Sequence, residues 1–236
     1  AVRQLVTNIR HSALPPLVGV WHAAGVLADA VLPKQTAESL ARVYAPKAHG
    51  AWALQSACHA MGLQAYVLFS SVASLIGGAG QANYSAANYT LDSLAAARRS
   101  QGRAAVSIQW GPWAEAGMAS RGDAAKRMAA MEKASGFGLV RVSAGLAALE
   151  TATLPLGLPV LGVLPVVWSR MLGGKAAPPF LSGFAAPAET AEAARTAVVD
   201  ADSGTASAVS LEAILAMARR TAGGAVDADV PLMETG

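Results

Sequence analysis

Cysteine is nearly absent from this chain of 236 residues, which contains only Cys58, and charged residues make up only 14% of it. A single cysteine excludes an internal disulfide and suits a reducing compartment, so we expect a cytoplasmic protein. Long hydrophobic runs are also missing. The longest, such as residues 160–168, are interrupted by glycine and proline and fall short of the roughly 20 residues that a membrane span needs. We therefore predict no transmembrane helix and no membrane partner.

A basic stripe is missing as well. The formal net charge of +3 comes from scattered lysines and arginines, whereas nucleic-acid-binding proteins cluster these residues on one face. We predict no nucleic-acid partner and no metal site. Apolar residues, in contrast, make up 53% of the chain, which is ample for a packed core.

Apolar stretches of strand length alternate with longer segments of helical periodicity. Strands are expected within residues 15–26, 65–71 and 104–111, and helices over residues 36–61 and through Tyr84 to about Arg99. This alternation predicts an α/β protein with a parallel sheet and helices on both faces. Ligands bind such sheets beyond the carboxyl ends of the strands. Residues 22–25, 70–71 and 111–113 all fall at those ends, so we expect them to border one crevice.

The composition changes after about residue 172. Residues 173–207 are rich in alanine, proline, serine, threonine and glycine without periodicity, which is typical of an interdomain linker. Residues 208–236 contain an amphipathic helix, with Leu211, Ile214 and Leu215 on its apolar side, followed by an acidic loop. We therefore predict a short helical segment at the carboxyl end.

One serine, one tyrosine and one asparagine have a spacing that suits catalysis. Tyr84 lies thirteen residues after Ser71, and Asn88 lies four residues after Tyr84. Residues four apart share a helix face, so Tyr84 and Asn88 should project together toward the strand that ends at Ser71. A phenol is a poor acid near neutral pH unless a cation stabilises its phenolate. Lys47, on the preceding helix, is the candidate cation.

We expect Lys47 to lower the pKa of Tyr84. At about 4 Å and an effective dielectric near 20, a unit charge contributes about 4 kcal/mol, enough to lower that pKa by roughly 3. Each residue also has an ordinary structural interpretation. Ser71 could simply form a hydrogen bond at the end of its strand, and Tyr84 could be a half-buried helix residue. Asn88 and Lys47 could be solvated. Their combination favours catalysis.

Four stretches carry a family resemblance: VWHAAGVLADAVL, PKAHGAW, VLFSSVASLIGGAGQANYSAANYTLDSLAAARRSQG and VSIQWGPWAEAGMA. In order and spacing they resemble the ketoreductase domain of modular polyketide synthases, a branch of the short-chain dehydrogenase/reductase superfamily, over about residues 1–170. The wider superfamily has a lysine four residues after the tyrosine. Polyketide ketoreductases instead have an asparagine at that position and the lysine on the preceding helix, which resembles the arrangement in this chain. The resemblance assigns the catalytic tetrad to Lys47, Ser71, Tyr84 and Asn88.

The resemblance implies a Rossmann-like domain, at residues 1–172, that reduces a β-ketoacyl thioester on an acyl carrier protein with NADPH. Tyr84 would protonate the alkoxide, Ser71 would hold its oxygen, and Asn88 would position Lys47 or a relay water. His22 is given no catalytic role. The residues expected to contact the cofactor are Ala23, Ala24, Gly25, Ser70, Gly111, Pro112 and Trp113.

The family's glycine-rich turn for the NADPH pyrophosphate is not found before residue 22. We therefore expect the carboxyl-terminal portion of a reductase, with a sheet incomplete at its amino terminus, that is inactive alone. Residues 208–236 resemble the beginning of an acyl carrier protein, truncated before its phosphopantetheine serine; an unrelated helix and loop is the alternative. Two further alternatives remain for this chain. It could be a catalytically silent structural remnant of a ketoreductase, or a module that presents acyl chains without reducing them. In either case its partners would be other domains of a synthase.

Stereochemistry is predicted from two positions. Ketoreductases of this family that form the D-hydroxyl (B type) usually carry Leu-Asp-Asp after the first strand-end glycine, and here Asp29 matches the second aspartate while Ala28 replaces the first. A-type enzymes have a tryptophan eight residues before the tyrosine, where this chain has Ile76. The resemblance therefore implies a B-type enzyme in which Asp29 guides the substrate arm.

Overall fold

A computed structural model describes residues 1–114, 136–154, 157–172 and 177–184. The chain divides into two compact units, the first formed by Ala1–Trp113 and Val140–Leu164 and the second by the remaining residues. Every residue assigned to the site from the sequence lies in the first unit. Within the described ranges, no helix is both long enough and apolar enough to cross a membrane.

The first unit is built on a four-stranded parallel sheet with the strand order β1-β2-β3-β4. The strands are β1 (Gly19–His22), β2 (Ala65–Ser71), β3 (Val106–Trp110) and β4 (Val160–Val163). The three strands expected from the sequence are confirmed, and β4 adds a fourth neighbour beside β3.

Helices connect the strands. In the first unit they are α1 (Val2–Arg10), α2 (Ala37–Tyr44), α3 (Gly50–Ala57), α4 (Ala73–Ile76), α5 (Ala82–Ser100) and α6 (Val142–Ala152). A short 3₁₀ helix, Leu32–Lys34, precedes α2. Residues 36–61 were expected to form one helix, but a π-helical turn, Ala45–His49, separates α2 from α3, and α3 ends at Ala57.

Side chains alternate across the sheet, as the pleat of a strand requires. Tyr66 and Leu68 of β2 pack against α1, α3 and α5 in one apolar cluster. Val67 lies on the opposite face in a second cluster, with Ile108 of β3 and Ala152 of α6. Helices therefore cover both faces, and the predicted Rossmann-like α/β fold is confirmed.

The loop between α4 and α5 depends on glycine. Gly77 and Gly80 have φ angles of 78° and 71°, in the left-handed region that other residues adopt at a cost. These two positions let the chain leave α4 and enter the 19-residue helix α5 within a few residues. Tyr84 and Asn88 consequently fall in the first two turns of α5, next to the end of β2.

The second unit, in its described part, contains α7 (Trp168–Leu172) and a 3₁₀ helix, Pro179–Phe184. The rings of Trp168 and Phe184 stack with centroids 4.1 Å apart. Part of the range expected to be a linker therefore has local structure. The rest of that range and all of residues 208–236 lie outside the described residues, so the domain boundaries remain a prediction.

Candidate active site

The carboxyl ends of β1, β2 and β3 lie at one edge of the sheet. His22 of β1 is in register with Leu68, and Ser71 of β2 is in register with Trp110, the last residue of β3. Because the strands are parallel, the residues that follow them emerge on the same side. The three segments expected to border one crevice do share this edge.

The tyrosine predicted to be the proton donor is buried there, with 9% of its surface exposed. Hydrogen bonds from the side chains of Ser71 and Asn88 to the phenol favour its ionised form. Burial outweighs them, however, and the negative charge of Asp29 acts in the same direction as burial, so the pKa of Tyr84 is raised above its ordinary value.

The expectation that the pKa of Tyr84 falls below its ordinary value is therefore wrong for this structure. The Nζ atom of Lys47 donates a hydrogen bond to the carbonyl of Phe69 at 2.9 Å and lies 5.4 Å from the centroid of the Tyr84 ring. The ammonium thus faces the ring and a strand carbonyl, and the removal of the phenol from water is the larger effect.

Lys47 itself is buried, with only 4% of its surface exposed. Burial lowers its pKa from 10.5 to about 8, and the nearby carboxylate of Asp92 opposes that change. The residue lies in the π-helical turn, a feature that is frequent at functional sites. His22 fixes this turn because its Nε2 atom lies 3.0 Å from the backbone carbonyl of Lys47. Burial lowers the pKa of His22 as well.

Asn88 joins the helix to the strand. Its side-chain amide donates to the backbone carbonyl of Tyr84 at 2.8 Å, and its own backbone carbonyl accepts a bond from the hydroxyl of Ser70 at 3.3 Å. The Oδ1 atom of Asn88 is buried and has no hydrogen-bond partner among the described residues. A buried acceptor without a partner is costly, so this oxygen is available to a further donor.

The residues expected to contact a cofactor have different surroundings. Ala23 and Ala24 are exposed after β1. Gly25 faces Lys47: a Cβ atom added to Gly25 would lie 2.9 Å from the Cε atom of Lys47. Ser70 is buried against Asn88.

The segment after β3 is held by protein contacts. The amide of Gly111 donates to the carbonyl of Val163 at 2.8 Å, and the carbonyl of Pro112 accepts a bond from the amide of Val140 at 2.8 Å. The indole of Trp113 packs 4.9 Å from that of Trp110, centroid to centroid. These three residues thus have packing roles of their own, and their contact with a cofactor stays a prediction.

Asp29 lies on a loop that is bonded to the loop before α5. Its carboxylate accepts a hydrogen bond from the side chain of Gln81 at 3.1 Å. Its neighbour Ala28 accepts a bond from the side chain of Asn83 at 2.8 Å through its carbonyl. Asp29 is exposed, and its negative charge acts on the phenol of Tyr84.

Sequence reasoning missed Asp92. This aspartate is buried on α5, four residues after Asn88, and its carboxylate accepts hydrogen bonds from Ser74, Ser107 and Gln109. The signal was present in the sequence, because Tyr84, Asn88 and Asp92 recur at intervals of four. No cluster of metal-ligating side chains occurs in the part of the chain that the structure describes.

The chain is similar in sequence and in fold to known proteins. Residues 1–115 match the family model of the KR domain. The chain is 46% identical over 123 residues to Mellein synthase of Phaeosphaeria nodorum and 41% identical over 177 residues to Polyketide synthase GfsB of Streptomyces halstedii. These matches cover 52% and 75% of this chain but only 7% and 3% of the two relatives.

Among solved structures, the chain is similar to PlmKR1, a ketoreductase from the first module of phoslactomycin biosynthesis in Streptomyces sp. HK803. The TM-score is 0.68 at 35% identity, over 78% of this chain and 42% of that one. In sequence and in fold, the chain is thus similar to ketoreductases of polyketide synthases.

Proposed function

We propose that this chain carries the catalytic residues of a ketoreductase that reduces a β-ketoacyl thioester to the β-hydroxyacyl thioester with NADPH. The observation that carries the proposal is the grouping of Ser71 and Asn88 around the phenol of Tyr84, with the buried ammonium of Lys47 over its ring. Residues with purely structural roles would not have to meet in this way at the end of a strand.

The raised pKa of Tyr84 keeps its phenol protonated near neutral pH, so it has a proton to give. NADPH supplies the hydride for the β-carbon when it is bound. The hydroxyl of Ser71 holds the ketone oxygen, and Tyr84 donates its proton as negative charge develops on that oxygen. Lys47 is the nearby cation, and its charge stabilises the phenolate that remains.

The residues present fit the nicotinamide end of such a cofactor. The exposed Ala23 and Ala24 have only methyl side chains, which leaves the backbone after β1 open to a planar ring. The buried, unpartnered Oδ1 atom of Asn88 is available to a donor. We propose Ala23, Ala24, Gly25, Ser70, Gly111, Pro112 and Trp113 as the cofactor contacts.

The substrate that we propose is a β-ketoacyl group on the phosphopantetheine arm of an acyl carrier protein, in a cytoplasmic synthase whose other domains are partners. We also propose a D-hydroxyl product, with Asp29 guiding the arm. Residues 173–207 would link the reductase to residues 208–236 as the beginning of a carrier protein.

The experiment compares Tyr84→Phe with Tyr89→Phe in the complete protein that carries this chain. Tyr89 lies on the same helix but is 62% exposed. The variant Tyr89→Phe therefore controls for the removal of a tyrosine hydroxyl from α5 away from the site. NADPH oxidation with a β-ketoacyl thioester should fall about 10²-fold or more in Tyr84→Phe and stay unchanged in Tyr89→Phe. Unchanged turnover in Tyr84→Phe would contradict the proposal, and a folded wild type without turnover would favour a silent remnant.

A further inference from the structure

The carboxylate of Asp92 is buried beneath the proposed reductase site, with 5% of the residue exposed. Tyr84, Asn88 and Asp92 follow one another at intervals of four along α5, so one face of the helix presents a phenol, an amide and a carboxylate. The proposed mechanism uses the first two. Buried carboxylates are rare unless they are paired and hydrogen-bonded, so this one calls for a physical explanation.

Asp92 collects three hydrogen bonds from two other elements. Its Oδ1 atom accepts from the hydroxyl of Ser107 at 2.6 Å. Its Oδ2 atom accepts from the hydroxyl of Ser74 at 2.7 Å and from the amide of Gln109 at 2.8 Å. Ser107 and Gln109 belong to β3, whereas Ser74 belongs to α4, directly after the end of β2. One carboxylate thus fastens α5 to both of these elements.

Ser74 connects this carboxylate to the catalytic end of β2. Its hydroxyl oxygen lies 2.8 Å from the carbonyl oxygen of Ser71 and 3.5 Å from the hydroxyl of Ser70. A hydroxyl has one hydrogen to donate, and the shorter contact, to Asp92, is also the one to a charged acceptor. Because α4 directly follows β2, the hydrogen bond from Ser74 to Asp92 holds the end of β2, and with it Ser71, next to α5.

Asp92 also acts on Lys47. The titratable groups that face Lys47 are His22 from β1 and Tyr84 and Asp92 from α5, and Asp29 faces Tyr84 from the loop after β1. Burial lowers the pKa of Lys47 to about 8, and Asp92 is the group that counteracts this change. Without Asp92, less of Lys47 would be an ammonium near neutral pH.

We propose that Asp92 is a positioning residue of the site: its carboxylate anchors α4, and with it the Ser71 end of β2, to α5 through Ser74. Its effect on turnover rests on the proposed reductase function, whereas its effect on Lys47 does not.

Two variants test the anchoring and the effect of the Asp92 charge on Lys47. Asp92→Asn removes the charge and replaces one accepting oxygen by an NH2 group, so it affects both. Ser74→Ala keeps the charge and removes only the hydrogen bond between Asp92 and α4. Tyr66→Phe is the matched control, because it deletes another buried hydrogen bond, to the carbonyl of Ala51, without touching this network. The Lys47 titration is followed by NMR of isotope-labelled lysine in the 236-residue chain, with Lys47→Gln to assign the signal. Turnover against pH is measured in the complete protein.

Asp92→Asn should move the Lys47 titration to lower pH by about one unit and shift the alkaline limb of kcat in the same direction. Ser74→Ala should lower kcat about tenfold, with KM within about twofold, and leave the titration in place. Tyr66→Phe should change neither.

An unmoved Lys47 titration in Asp92→Asn would overturn the charge role, and wild-type kcat in Ser74→Ala would overturn the anchoring role. If Asp92→Asn does not fold, the uncharged variant Asp92→Ser takes its place, and an unmoved titration is again the contrary result. A wild type without turnover would refute the proposed function, while the NMR titration would still decide the charge role.

Discussion

Gly25 leaves open the space into which the Lys47 side chain extends. A Cβ atom at Gly25 would lie 2.9 Å from Cε and 3.3 Å from Nζ of Lys47, closer than side-chain atoms normally approach. The family resemblance implies that Gly25 contacts the cofactor. In the structure the neighbour that requires a glycine is the lysine itself, so Gly25 affects the site through the position of the ammonium.

The first prediction is that Gly25→Ala displaces the ammonium of Lys47 from the Tyr84 ring and lowers kcat about tenfold, because a misplacement near 1 Å is costly for catalysis. Steady-state NADPH oxidation in the complete protein measures this. Gly62→Ala is the control, since a Cβ atom there meets nothing within 4 Å. Equal turnover in the two variants would show that the Gly25 contact does not fix the lysine.

The second prediction concerns stability against pH. The pKa of Lys47 is about 8 in the folded chain, compared with its ordinary value of 10.5, so the folded state loses this proton first as the pH rises. Below pH 8 both states bind the proton and the cost of burying the charge is fully present. Between pH 8 and 10.5 the unfolded state binds more protons, so this cost, about 3 kcal/mol, disappears.

Lys47→Met removes the titrating group and provides the comparison. The free energy of unfolding of the wild type should rise relative to that of Lys47→Met by about 3 kcal/mol between pH 8 and 10.5. Urea unfolding at several pH values measures the difference. A constant difference between the two proteins across this range would mean that Lys47 titrates at its ordinary pH.

The sheet and the helix that carries Tyr84 could be predicted from the sequence because their patterns are local. β2 is a continuous apolar run that ends in two serines, and α5 shows helical periodicity from Tyr84 to Arg99. The π-helical turn at Lys47 could not be predicted, since it breaks a pattern that reads as one helix. Its position depends partly on the contact between His22 and the Lys47 carbonyl, which joins residues 25 apart in the chain.

The sequence predicted which residues meet at the site better than it predicted the pKa shifts there. The spacing of Ser71, Tyr84 and Asn88 indicated that they would meet, and hydrogen bonds to the Tyr84 phenol do involve both partners. The direction of the Tyr84 pKa was wrong because burial depends on how the elements pack, which spacing does not reveal. Asp92 was overlooked although it continues the same interval of four.

A third prediction concerns the packing of Trp113. Gly145 lies inside α6, where replacing glycine by alanine ordinarily stabilises a helix by about 1 kcal/mol. The Trp113 ring occupies the space that a Cβ atom would take, and overpacking typically costs about 1–3 kcal/mol. Gly145→Ala should therefore lower the free energy of unfolding.

Chemical denaturation measures this effect, and the double variant Gly145→Ala with Trp113→Leu tests its cause. The smaller side chain should remove most of the loss that Gly145→Ala produces. If Gly145→Ala stabilises the wild type, the indole does not pack against α6 in the folded protein.

The last prediction is stereochemical and follows from the proposed role of Asp29. Asp29 is exposed on the loop after β1, and its negative charge acts on Tyr84, so a substrate arm that passes this carboxylate arrives beside the proton donor. The side on which the arm enters decides which face of the ketone meets the hydride. We therefore expect a D-hydroxy product from a diketide thioester, and a mixture of products from Asp29→Ala.

Gln81→Leu is the matched control, because it removes the hydrogen bond to Asp29 but keeps the carboxylate. If the charge guides the arm, Gln81→Leu keeps the D product. If the fixed position of the carboxylate guides it, Gln81→Leu loses selectivity as Asp29→Ala does. Chiral chromatography of the products distinguishes these results. A predominantly L-hydroxy product from the wild type would refute the assigned type, and unchanged selectivity in Asp29→Ala would show that another residue directs the arm.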